Sequence, residues 1–91
     1  MATLHVVSHS PFSDSRLASC LRLLGREDGL LLCGDAAYAL RTPETLPNTG
    51  LFVLAEDADA RGLVAPPHAQ LIDYAAFVDL TLAYDKVNSW L

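Results

Sequence analysis

Thr3-Leu4-His5-Val6-Val7-Ser8-His9-Ser10-Pro11-Phe12-Ser13-Asp14-Ser15-Arg16-Leu17-Ala18-Ser19-Cys20-Leu21-Arg22-Leu23-Leu24-Gly25 is the stretch that decides the fold. Its first third is an apolar strand, Thr3 to Ser8. Pro11 and Ser13 punctuate a polar turn, and Ser13 or Asp14 is placed to cap a helix. Within that helix Leu17, Leu21 and Leu24 fall at i, i+4 and i+7, with Cys20 beside them at i+3. Arg16, Ser19 and Arg22 take the other side. Gly25 is expected to close the helix in a left-handed conformation.

The same pattern repeats downstream. Leu30-Leu31-Leu32-Cys33 is apolar at odd and even positions and flanked by glycines, as a strand covered on both faces should be. Asp35 is expected to cap a short helix, Ala36 to Leu40. Pro43 to Gly50 reads as a loop, and Leu51-Phe52-Val53-Leu54 as a third strand. Glu56 to Arg61 reads as a helical turn stopped by Gly62. After the loop Val64 to Ala69, Gln70-Leu71-Ile72 is a fourth strand. Asp73 then caps a final helix, Tyr74 to about Tyr84. Tyr74, Phe77, Val78 and Thr81 form one apolar stripe of it, and Ala76, Leu80 and Ala83 a second. A helix apolar most of the way round is buried on more than one side. Trp90 near the end is either a docked tail or an interface anchor. Strands alternating with helices imply right-handed crossovers. The fold class expected is therefore a small three-layer α/β/α sandwich around a mainly parallel sheet of about four strands.

Ninety-one residues make one domain, residues 1–91. Such a chain buries only ~60–65% of its unfolded surface. Yet 52% of its residues are apolar, and exchanging the 3 Tyr for the 5 Gly to match the usual counting set raises this to about 54%. Ordinary soluble domains have ~45–50%. Surplus apolar residues at regular spacings point to cover by a partner. The charge of −5, from 6 Lys and Arg against 11 Asp and Glu, leaves no basic stripe for phosphates. Direct nucleic-acid binding by this chain is not expected. Neither is a membrane span or a secretory leader, since there is no long apolar run and no basic segment before the first strand.

The chemistry-bearing residues are sparse. In folds of this class, sites lie beyond the carboxyl ends of the strands, here Ser8-His9-Ser10, Cys33-Gly34-Asp35, Ala55-Glu56-Asp57 and Asp73. The two cysteines read as free thiols, and without a Cys-x-x-Cys pair they make no thioredoxin-type site. Cys33, ending an apolar strand, reads first as a packing residue. His5 and His9 on an extended strand stand ~13 Å apart, too far to share one ion. With His68 they show no zinc spacing, and no metal is expected. His5 reads as a hydrogen-bonded structural residue and His68 as a loop residue. Ser8-His9-Ser10-Pro11 lacks the glycines that let backbone amides approach a phosphate, so no flavin, nucleotide or other cofactor is expected. Asp14, Asp35 and Asp73 precede helices and read as caps. Glu56-Asp57-Asp59 reads as a solvated face.

Several stretches together resemble the TusB/DsrH family. They are Leu4-His5 with Ser10-Pro11-Phe12, Leu30-Leu31-Leu32 with Gly34-Asp35-Ala36-Ala37-Tyr38-Ala39, and Glu56-Asp57 with Ala60-Arg61-Gly62-Leu63. Ile72-Asp73-Tyr74 with Phe77-Val78-Asp79-Leu80-Thr81, and the ending Trp90-Leu91, complete a match that runs co-linearly along the chain. The resemblance implies a DsrEFH-like fold and a cytoplasmic subunit of a sulfur-relay complex. That subunit assembles with homologous TusC- and TusD-like partners as a heterohexamer, a dimer of heterotrimers. The complex serves 2-thiolation of the tRNA wobble uridine, or sulfur oxidation in the DsrEFH variant. The TusB side of the family is favoured. In both variants the principal sulfur-carrying cysteine belongs to a sister subunit, which gives this chain an accessory role without independent activity. Cys20 lies where DsrH-type chains carry a cysteine, and it is the candidate sulfur-accepting thiol. Against that stands its place in the Leu17-Leu21-Leu24 stripe, which makes it a small buried residue; this is the favoured reading. A third alternative is a homo-oligomeric small-molecule binder on the same fold.

Overall fold

Strands that are apolar at every position need cover on both faces, and the chain supplies it with two helical layers. The structure is a computed structural model, and residues 2–90 are described. The strands are β1 (Thr3–Val7), β2 (Gly29–Leu32), β3 (Leu51–Leu54), β4 (Ala69–Ile72) and β5 (Lys86–Trp90). The α-helices are α1 (Arg16–Leu23), α2 (Ala55–Ala60) and α3 (Tyr74–Ala83); between β2 and β3 lie a 3-10 helix, Gly34–Arg41, and a 3-10 turn, Pro43–Thr45. The sheet order is β4-β3-β2-β1-β5, with every neighbouring pair parallel.

Alternation along each strand sorts the side chains onto two faces. One face carries Val7, Leu30, Leu32, Leu51 and Val53, packed against Leu17 and Cys20 of α1, the 3-10 helix and Ala58 of α2. The other carries Leu4, Val6, Leu31, Leu54 and Ile72, packed against Ala76, Phe77 and Leu80 of α3 and against Tyr84. Leu4, Leu30, Leu31, Leu32 and Leu51 are all fully buried, each worth about 1.5–3 kcal/mol relative to exposure. Where β2 begins, Gly29 allows close packing: a Cβ there would sit 2.4 Å from the Tyr84 hydroxyl oxygen. Gly50, at φ +67°, leads into β3 with its carbonyl accepting from the Leu30 amide at 2.8 Å. A side chain there would meet the Asp28 carbonyl at 2.9 Å.

The α/β/α architecture and parallel sheet agree with expectation; three local features differ. The sheet has five strands, because residues 86–90 pair with β1 as an edge strand. An edge strand wetted on much of its surface needs no apolar run, so Lys-Val-Asn-Ser-Trp gave no strand pattern. Trp90 is thus a docked residue, packed against the α1-side core; Leu91 lies outside the described residues. Gly25 does not adopt a left-handed cap. The helix stops at Leu24, which is extended at φ −67° and ψ 119°, and the Gly25 amide donates to Asp28 instead. Asp35 is not the cap of its helix but lies in its first turn. Asp73 does cap α3, its Oδ1 accepting from the Ala76 amide at 2.8 Å.

Asp28 ties the α1–β2 turn to the first strand. Its Oδ1 accepts from the Thr3 amide and its Oδ2 from the Gly25 amide, both at 2.9 Å. Oδ2 also lies 3.3 Å from Nε2 of His5. The Gly25 and Thr3 amides, assisted by His5, hold the Asp28 carboxyl below its ordinary range despite burial, which acts the other way. A carboxyl depressed on folding stabilises the fold fully above its unfolded pKa, and the contribution is lost as pH falls through the folded value. Asp28→Asn should therefore cost about 1–3 kcal/mol near neutral pH, and the deficit should shrink in acid. Denaturant unfolding of both proteins from pH 7 down to pH 3 checks this.

Candidate functional site

Helix α1 turns Cys20 inward, as the leucine spacing requires, and the thiol is 0% exposed. Burial pushes it up to about 11, and the nearby negative charge of Asp28 adds to the shift. Of the two arginines on α1, Arg16 is engaged by the Asp14 carboxylate and Arg22 is exposed. Cys33 follows β2 directly and is only half-buried. Its Sγ lies 3.5 Å from the Val7 carbonyl, to which it donates. It too is raised, first by burial and then by Asp57. A reactive cysteine needs the thiolate favoured by cations, a helix N-terminus or a metal. Both thiols here are instead raised by burial and a nearby carboxylate, in Cys33 despite its place at the amino end of the 3-10 helix.

The carboxyl ends of the strands hold a polar cluster. Asp57 Oδ2 accepts from the Gly34 amide at 2.7 Å, which fixes the turn after β2 against α2. Arg61 donates to Asp35 Oδ1 through Nη2 at 2.9 Å and Nε at 3.2 Å, and to the Asp57 carbonyl through Nη1 at 3.1 Å. The guanidiniums of Arg41 and Arg61 lie 5.0 and 5.8 Å from the centre of the Tyr38 ring. Of the residues singled out at these strand ends, the structure thus joins Gly34, Asp35 and Asp57 through Arg61. The Gly34 amide and the Arg61 guanidinium are thus engaged by carboxylates and a carbonyl of the same chain. Among the described residues no three His, Cys, Asp or Glu side chains converge as metal ligands would.

His5 is buried and hydrogen-bonded: Nε2 faces Asp28 and Nδ1 accepts from the Trp90 indole Nε1 at 3.1 Å. This three-residue link escaped sequence reading. Its members are 23 and 85 positions apart, and no local spacing signals such a contact.

The remaining feature is apolar and exposed. On α3, Tyr74, Val78 and Leu82 recur at i, i+4 and i+8 and are 55, 57 and 80% exposed. Val87 of β5, paired with Leu4 on the same face of the sheet, is also exposed. The two stripes expected for this helix are each split. Ala76, Phe77 and Leu80 face the sheet, while Tyr74, Val78 and Ala83 face outward. A helix apolar all round carries no polar face to fix its rotation, so only the sheet decides. At its amino end the stripe meets acid: Asp57 and Glu56 push the Tyr74 phenol up. No helix is long and apolar enough to cross a membrane among the described residues.

Against this geometry, three comparisons are informative. The DsrH-like protein family profile matches residues 9–87. "Protein TusB" of Yersinia pestis (strain Pestoides F) is 43% identical over 95 aligned residues, covering 96% of this chain and 99% of the relative. The protein of the same name from Yersinia pseudotuberculosis serotype O:1b (strain IP 31758) gives the same figures. The crystal structure of the YchN protein from E. coli superposes with a TM-score of 0.75 at 21% identity, covering 98% of this chain and 99% of the other. At that identity it establishes the shared fold.

Thiol chemistry is directly measurable. In the native protein Cys33 should react with a maleimide well before Cys20, and its rate should rise with pH as the thiolate forms. Cys20 should label only on unfolding. Mass mapping of the alkylated peptides over a pH series reads both.

Proposed function

The chain belongs to the DsrH-like protein family, and on that premise we propose that it is a TusB-type subunit of a sulfur-relay complex supporting 2-thiolation of the tRNA wobble uridine. Its part is accessory. It holds a sulfur-carrying sister subunit in place and has no independent activity. TusC- and TusD-like partners cover it in a cytoplasmic heterohexamer. The observation that carries this reading is the exposed stripe Tyr74-Val78-Leu82, which a lone domain of this size leaves wet and a partner helix or sheet would bury. The 43% identity to TusB relatives supports the TusB side of the family. The raised thiols of Cys20 and Cys33 support a role without a persulfide on this chain, and Cys20 is proposed as a packing residue. The net charge of −5 leaves the tRNA to other subunits.

Co-expression with the TusC- and TusD-like subunits tests the assembly. The wild-type chain should co-purify in a mixed hexamer. Val78→Asp with Leu82→Asp should weaken assembly by at least ~30-fold, as loss of a central apolar anchor does, while leaving far-UV dichroism and the melting temperature near wild type. An unchanged hexamer would place the interface elsewhere. Cys20→Ala should leave wobble-uridine thiolation in cells intact; its loss in a folded, assembled variant would give Cys20 the relay role.

A further inference from the structure

The buried His5 ring is satisfied on both nitrogens, and its two partners impose one protonation state. The Trp90 indole N–H is a donor with no acceptor capacity. It points at Nδ1 of His5 from 3.1 Å, so Nδ1 must present its lone pair. The single ring proton then sits on Nε2, where it is donated to Asp28 Oδ2 at 3.3 Å. The neutral ring therefore serves both neighbours. A second proton would go to Nδ1 and set two N–H groups against each other at the Trp90 side. The same proton would strengthen the Asp28 side, where a hydrogen bond becomes an ion pair. The Asp28 carboxyl is held ionised by the Gly25 and Thr3 amides as well, so it remains an anion through the pH range in which an imidazole titrates.

The Trp90 side is also the mechanically weak one. β5 is an edge strand paired only with β1, and Lys86, Val87, Asn88 and Ser89 are all exposed. Trp90 is the one residue of this strand packed against the core. The charged and titratable groups around His5 come from each neighbouring element. Asp28 is on the α1–β2 turn and Cys20 on α1. Lys86 is at the exposed start of β5, on the same sheet face. Asp85 lies before it, its carboxylate accepting from the Ala2 amide at 3.0 Å. Tyr84, at the end of α3, lies on the opposite face. Of these groups, Asp28 is the one in contact with the ring.

We propose that His5 is a proton-gated latch on the C-terminal strand: the neutral ring holds Asp28 and Trp90 together, and the doubly protonated ring keeps Asp28 and releases Trp90. Acid thus loosens β5 while the rest of the sheet stays in place, since the other strand pairs contain no such bond. By linkage, docking of Trp90 opposes protonation of His5.

The sequence's single tryptophan makes the latch readable. Full-length chain labelled with 15N, in its complex where it is obtained as one, is followed from about pH 8 to about pH 5, where imidazoles titrate. At the upper end the His5 15N shifts should report a proton on Nε2 and none on Nδ1. On titration the Trp90 indole N–H should lose its hydrogen-bonded shift. Exchange protection of the β5 amides should fall with the same midpoint, while that of β2 and β3 amides stays. Trp90→Phe, which keeps the ring packing and removes the donor, should move the His5 midpoint to higher pH. His5→Gln, which keeps polar contacts without titrating, should leave β5 protection independent of pH. A proton on Nδ1 at pH 8 would overturn the proposal. So would a His5 titration that leaves Trp90 and β5 unmoved, or an unchanged His5 midpoint in Trp90→Phe.

Discussion

Right-handed crossovers force an unequal division of helices between the two sides of this sheet. The chain moves from β1 through β2 and β3 to β4 in one direction, and every connection on that path therefore lies on the same face. α1, the 3-10 helix and α2 all cover that side. The return from β4 to the far side of β1 uses the other face, and only α3 makes it. One ten-residue helix must then shield a face five strands wide. Its inner side is apolar because of the sheet. Its outer side is apolar as well, and nothing within the domain explains that. Part of the surplus of apolar residues in the composition thus lies on the open side of the helix that works alone.

This asymmetry gives the proposed accessory role a physical basis separate from family membership. The densely covered face holds the helix of Cys20, and burial there suppresses the thiolate. The sparsely covered face carries Tyr74, Val78 and Leu82, and the half-buried Cys33 packs against its core, its thiol raised by burial and by Asp57. Arg61 is turned onto the acids of its own chain and fixes loops.

Most of the sheet was legible from the sequence because parallel, doubly buried strands advertise themselves: Leu30-Leu31-Leu32 and Leu51-Phe52-Val53-Leu54 have no other reading. Asp73 was legible because capping is a local interaction. Edge strand β5 was not, since half-wet strands obey no apolar rule. Gly25 misled because a glycine after a helix usually closes it. Here Asp28, three residues on, claimed its amide first. The rotation of α3 was hidden for want of a polar face. The His5–Asp28–Trp90 link was hidden because its partners meet only in the finished sheet.

The pairing of the first strand with the last has a consequence for biogenesis. β1 is an inner strand, yet the neighbour on one of its edges is contributed by residues more than eighty positions later. While the chain leaves the ribosome, this edge of β1 lacks its partner until residues 86–90 have been made. Local contacts can form early, but this register must wait, and such distant pairings close slowly. A nascent chain with a greasy strand and a free edge is a substrate for chaperones or for its own kind. Truncation or ribosome stalling within residues 86–90 should therefore harm yield far more than five mostly wet residues would suggest.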